Sequence, residues 1–126
     1  MPVIDPKQVP IEWRGRDKNI QHHTLISSDK FNCEMALWEI FAPTGTGAPP
    51  HVHPHDETIT VLSGSIKAQL DCEVVEAHAG QTLFIPANIG HSFGVISEEK
   101  AHLLVAFPVG EPTWDRIDWK LWLADR

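Results

Sequence analysis

The sequence predicts an all-β fold, and three observations carry that prediction. Short apolar, β-branched runs recur at roughly even spacing, Gly-, Pro- or Asp-containing turns separate them, and helical spacing of apolar residues is confined to the C-terminal tail. A chain of 126 residues with 42% hydrophobic and 21% charged content is long enough for one core and too short for two. The whole of 1–126 is therefore read as a single domain.

In chain order, strand-like runs lie near 20–27, 33–42, 58–63, 65–70, 73–77, 82–85, 91–97 and 101–107. Each alternates or is continuously apolar and stops at a turn residue. The runs around "LDCEVV" read as a tight hairpin with Asp71 and Cys72 at its tip. The tail differs. In "EPTWDRIDWKLWLADR", Pro112 suits a first helical turn, and Trp114, Ile117, Leu121 and Trp122 follow at helical spacing. A short C-terminal helix over about 112–124, lying across the β-domain, is the expectation.

Composition excludes several function classes. The formal charge is −7 and no basic run exists beyond Arg14, Arg16 and Lys18, which argues against a nucleic-acid or anionic-membrane partner. The longest apolar run, 103–109, is interrupted by Pro108 and falls far short of the ~20 residues a spanning helix needs. No secretory pattern opens the chain. Two cysteines, Cys33 and Cys72, do not make a disulfide framework, so the expectation is a cytoplasmic protein with reduced thiols. The chain has no tyrosine, which removes any mechanism built on a tyrosine acid or base.

The chemistry concentrates in "GTGAPPHVHPHDETITVLSG", 45–64. His51 and His53 are two apart, so on an extended strand both imidazoles share a face. Glu57 follows within reach of the same point, and "GQTLFIPANIGHSFGV" supplies His91 at the start of a later strand. Three imidazoles and a carboxylate form an N3O set suited to a first-row divalent metal, with two positions left for water or substrate.

These residues resemble the two motifs of the cupin superfamily. The first, G-x5-HxH-x3-E-x6-G, is matched by Gly45, His51, His53, Glu57 and Gly64. The second, G-x5-P-x-G-x2-H-x3-N, is matched by Gly80, Pro86 and His91, with Asn88 where the family has Gly and Val95 where it has Asn. Asn tolerates the left-handed region better than other non-glycine residues, so the turn is expected to survive. The resemblance implies a small single-domain cupin of the quercetinase-like kind: one jelly-roll β-barrel, a metal-binding core at about 33–107, and one divalent metal held by His51, His53, Glu57 and His91. Fe(II) is favoured, with Mn, Ni, Zn or Cu as alternatives. Alternation then places Ile59, Val61, Ile66, Ala68, Leu83, Ile85, Phe93 and Val95 on the pocket wall, with His102 as a further candidate and Lys67 and Gln69 outside.

Other residues invite plainer readings. Pro54 interrupts the H-x-H series, so His55 is read as exposed or as a support for the ligands. His22 and His23 must face opposite ways, so at most one looks inward. Asp56 and His78 are read as exposed, Trp38 as sheet packing, and Trp114, Trp119 and Trp122 as docking the tail onto the barrel or a partner.

The implied function is that of a metal-dependent enzyme on a small oxygen-rich molecule chelated to the metal. A dioxygenase is favoured. A redox-neutral isomerase, lyase or cyclase, with Glu57, His55, His102 or bound water moving the proton, is the alternative, and a non-catalytic binding module is a third. Few inward Lys or Arg are evident, which speaks against a nucleotide or polyphosphate substrate. The family also implies a homodimer, for which Phe84 and the Trp-rich tail are outward apolar candidates.

Overall fold

The computed structural model describes residues 2–124 and 126. Among the described residues, eleven strands form two facing antiparallel sheets. Seven of them open the chain: β1 (Glu12–Arg14), β2 (Ile20–Ile26), β3 (Ala36–Ala42), β4 (Gly47–Val52), β5 (Glu57–Ser63), β6 (Ser65–Leu70) and β7 (Glu73–His78). Then come β8 (Thr82–Ile85), β9 (His91–Val95), β10 (Ala101–Phe107) and β11 (Asp115–Arg116). One sheet has the order β1-β2-β3-β10-β5-β8, the other β11-β4-β9-β6-β7. This is the jelly-roll arrangement, with helices among the described residues reduced to a 3-10 turn at Pro6–Gln8, α1 (Ser28–Phe31) and α2 (Trp119–Leu123).

The core follows from period-two alternation. In β10, Ala101, Leu103, Val105 and Phe107 are buried while His102, Leu104 and Ala106 lie opposite. Register carries the same phase into the neighbours, since Leu103 faces Ile40 of β3 and Val61 of β5. Ile59, Val61, Ile66, Ala68, Ile85 and Val95 each keep at most 3% exposure and interdigitate between the sheets. The β6–β7 hairpin turns at Asp71 and Cys72, and the left-handed residue is Asp71 (φ 50°).

β4, β1, β11 and the tail helix differ from the sequence reading. β4 contains Pro49 and Pro50, which remove ladder donors and hide the strand from a pattern search; its pairing with β9 shifts register between Ala48 and His51. β1 and β11 are too short to leave a periodic signal. The tail helix is confined to Trp119–Leu123, because Asp118 caps it by accepting from the Lys120 and Leu121 N–H groups. The preceding residues are extended instead: Asp115 and Arg116 pair with Val52 and His51, and the Ile117 N–H donates to Pro50 O.

Candidate metal centre

Two tight turns bring the four donors together. His51 ends β4, His53 follows it, Glu57 opens β5 and His91 opens β9 directly across from His51. The Asn88 N–H donates to His53 O (2.9 Å), tying the turn before His91 to the H-x-H segment. Asn88 takes φ 66°, so the asparagine fills the left-handed position as its residue type allows. Asp56 Oδ1 accepts from the Ala87 N–H (2.9 Å) and secures the same junction.

Each imidazole is oriented by a backbone carbonyl. His51 Nδ1 lies 2.7 Å from Pro49 O, His53 Nδ1 2.8 Å from His55 O, and His91 Nδ1 2.8 Å from Ile89 O. A carbonyl only accepts, so each Nδ1 carries the hydrogen and each neutral ring turns its Nε2 lone pair toward the common centre. There the donor atoms of His51, His53, Glu57 and His91 all lie within 4.8 Å of one another. Glu57 Oε1 is 2.8 Å from His53 Nε2 and 3.3 Å from His91 Nε2, and the latter nitrogen is buried without a hydrogen-bond partner. Converging lone pairs and a carboxylate repel one another unless protons or a cation lie between them. The donor set and the orphaned nitrogen both fit a divalent metal ion, and the group can hold one.

Protonation reflects the same crowding. Burial opposes the charged form of His53, but the hydrogen bond and charge of Glu57 outweigh it and raise the pKa. Burial pushes His51 down, with His91 adding to the effect. Burial also opposes ionisation of Glu57, yet the hydrogen bond from His53 and the nearness of the His91 ring win and lower its pKa.

The cupin domain family matches residues 37–107 of this chain. The chain belongs to the cupin family. An uncharacterised protein of Streptomyces coelicolor is 30% identical over 77 residues, 61% of this chain and 71% of its own length. Among solved structures, the polyketide cyclase RemF from Streptomyces resistomycificus is 25% identical with a TM-score of 0.78, covering 94% of this chain and 86% of its own. An RmlC-like cupin from Shewanella frigidimarina is 24% identical with a TM-score of 0.70, covering 83% and 88%.

The donors open on a cavity of about 270 Å³. Its walls differ from the expected ones. Phe93 lines it, but Ile59, Val61, Ile66, Ala68, Leu83, Ile85 and Val95 do not: they face inward and are consumed in packing the closed half of this cupin barrel. The wall comes instead from β2, β3 and β10, with Trp38, Ile40, Ala42, Val105 and Phe107. His102 is also displaced from the expected lining. It lies on the outer face of β10, donating to Glu39 (2.9 Å) and stacking on Phe41 at 4.2 Å.

Three further residues were out of reach of sequence patterns. Arg14 on β1 and Arg116 on β11 line the cavity, so two cations stand on a wall where few were expected. His22 on β2 lines it too, while His23 faces outward with Nδ1 near Val9 O (3.2 Å). The pairing of His22 with Ile40, an inward residue of β3, fixes which of the two histidines looks inward. His55 is buried rather than exposed. It stacks on His53 (centroids 4.4 Å, 11°) and its Nε2 accepts from the Thr113 N–H at 3.3 Å. It thus braces a candidate ligand against the tail. Trp122 docks the tail by donating to Asp71 Oδ1 (2.6 Å), whereas Trp114 lines the cavity.

Proposed function

We propose that this cupin is a metal-dependent enzyme acting on a small, flat, oxygen-rich organic molecule held at His51, His53, Glu57 and His91. One observation carries the reading: three Nε2 lone pairs and one carboxylate converge at one end of an otherwise largely apolar cavity. A divalent ion there, Fe(II) first and Mn, Ni, Zn or Cu otherwise, would supply Lewis acidity for paired substrate oxygens and, as iron, access to dioxygen chemistry.

The protein's own part is to orient and to keep dry. Carbonyl-anchored Nδ1 atoms hold the three rings in one tautomer, so no reorganisation is needed when an ion is bound. Trp38, Ile40, Val105 and Phe107 exclude water from the substrate. Glu57 stays ionised, in the form that can accept a proton, and is the candidate base at the chelating end.

Two reactions suit this arrangement. Oxygenation is favoured by the N3O donor set with positions left for ligands. Redox-neutral ring closure is favoured by the likeness to the polyketide cyclase RemF across 94% of this chain. Elemental analysis of the purified protein, followed by incubation with a diketone and flavonol panel under dioxygen, separates them. Iron with dioxygen uptake and cleavage products that together carry both atoms of dioxygen supports the first. Products of unchanged mass or lighter by water, without uptake, support the second. No metal at all overturns the proposal.

A homodimer joined through the outer sheet face agrees with Phe84 standing 54% exposed on β8, and light scattering checks it. A cytoplasmic setting agrees with Cys33 and Cys72 being free thiols. No helix among the described residues is long and apolar enough to cross a membrane.

A further inference from the structure

His22 is 2% exposed, lines the cavity, and has no hydrogen-bond partner at either ring nitrogen. It lies on β2, three strand steps from Glu57 across β3 and β10, roughly 14 Å of sheet. Buried polar groups are ordinarily partnered, and an orphan costs about what a lost hydrogen bond costs. Such a group is expected where a ligand completes the pairing.

The chemistry of that ligand follows from the surroundings of the ring. Nδ1 stands 3.3 Å from Glu12 Oε2, misaligned for a hydrogen bond but facing an acceptor. Glu12 is itself fixed by Thr24 Oγ1 (2.9 Å) and Arg14 (3.4 Å). Nδ1 therefore carries the hydrogen and Nε2 keeps its lone pair. Burial, with the Arg14 charge beside it, pushes the pKa down to about 4 against the pull of Glu12, so the imidazole is neutral at pH 7. A neutral acceptor selects a donor. A hydroxyl satisfies it, whereas an anionic oxygen meets the lone pair head-on.

The shape of that ligand follows from the wall between the two polar ends. Trp38 lies 4.7 Å from the His22 ring, Phe107 4.7 Å from Trp38, and His53 5.9 Å from Phe107. Rings thus run from His22 to the donor cluster, in a cavity of about 270 Å³, just under the usual range for drug-sized ligands. Flat aromatic molecules suit such a wall.

We propose that His22 is a substrate-binding residue whose Nε2 accepts a hydrogen bond from a hydroxyl at the far end of a flat aromatic substrate. This rests on the function proposed above, which places the chelating end of the substrate at the four donors. His22 then distinguishes hydroxylated substrates from analogues lacking that group.

The test uses metal-loaded full-length protein and two probes, flavonol and 4′-hydroxyflavonol, which share the chelating hydroxyketone and differ in one distal hydroxyl. Quenching of tryptophan fluorescence reads binding. The wild-type protein is expected to hold 4′-hydroxyflavonol about tenfold more tightly. His22→Phe should bind both probes alike, with flavonol affinity nearly unchanged, and His22→Gln, which retains an acceptor, should recover part of the preference. Thermal melting checks that both variants fold. Equal binding of the two probes by wild type, a preference that survives in His22→Phe, or binding of neither probe overturns the proposal. His53→Ala separates the two readings. It should weaken both probes equally and leave the preference intact; if both probes keep full affinity while the preference persists, the metal reading fails and the assignment of His22 stands.

Discussion

The two halves of the barrel are built by the same alternation and end in opposite states. Between β5, β6, β8 and β9, inward positions carry Ile59, Val61, Ile66, Ile85 and Val95, which are buried against one another in the core. Between β2, β3, β4 and β10, and at the starts of β5 and β9 where Glu57 and His91 lie, inward positions carry polar donors, small residues and rings that leave a cavity. The buried side-chain atoms without partners among the described residues, both nitrogens of His22 and Nε2 of His91, all belong to this second half. The closed half supplies stability through buried apolar area; the open half spends some of it on unpaired polar groups. Site and scaffold are therefore separable, and variants on either side should show it.

The largest separation is expected in metal binding. His53→Ala should lower metal affinity by ~100-fold or more, since even outer partners of metal ligands are worth 10–100-fold. Its fold should persist, because the ring contributes no aliphatic core packing. Elemental analysis after dialysis, paired with circular dichroism, reads both quantities; retention of full occupancy would remove His53 from the ligand set. Ile66→Ala should behave in the opposite way. Ile66 is fully buried, so truncation should cost roughly 2–5 kcal/mol in denaturant unfolding. Metal stoichiometry should not change. Loss of metal along with stability would show that the two halves are coupled.

The same division marks what could be read from the chain beforehand. β5, β6 and β8 were legible because apolar and polar residues alternate cleanly, and the donors were legible because His51, His53 and Glu57 fall at strand and turn spacing while His91 opens a strand after a proline turn. The cavity wall was not, because it depends on which strands face each other across the barrel. "AHLLVAF" is apolar on both faces, so its phase, and with it the outward position of His102, cannot be taken from the residues alone. β4 is masked by Pro49 and Pro50, yet Pro50 O still accepts from the Ile117 N–H beside β11. The helix boundary moved because Asp118 is the better cap and the preceding segment found an unpaired strand edge.

Acid should sharpen the comparison by acting on the open half. The His22 pKa lies near 4 in the folded protein against an ordinary value of 6.5, so the unfolded chain binds the extra proton between those limits. Stability is complete above about pH 6.5 and falls as pH drops toward 4, by on the order of 2–3 kcal/mol at pH 4.5 from this group. His51, also lowered by burial, adds in the same direction, whereas His53, raised by Glu57, opposes it. Urea unfolding of metal-free protein at pH 7 and 4.5 should show that loss, and His22→Phe should be flatter by the contribution of this one group. An equal slope in the variant would mean that His22 is not held neutral by burial.

The smallest effect concerns the tail, which touches both halves. Asp71 Oδ1 accepts from the Gly90 N–H (3.1 Å) and from Trp122 Nε1 (2.6 Å), so one carboxylate ties the β6–β7 hairpin, the tail helix and the turn that delivers His91. Gly90 is required there, because a Cβ would stand 2.4 Å from Trp122 Nε1. Trp122→Phe deletes the indole donor and part of the ring's packing, which together should cost about 1–2 kcal/mol of stability. It should also loosen the turn before His91 and lower metal affinity by less than tenfold, since the Ile89 carbonyl still orients the ring. Thermal melting and competition with a metal chelator read the two effects on the same samples. If Trp122→Phe lost metal as completely as His53→Ala, the tail would be holding the donor cluster itself, and the separation of site from scaffold would fail at this corner.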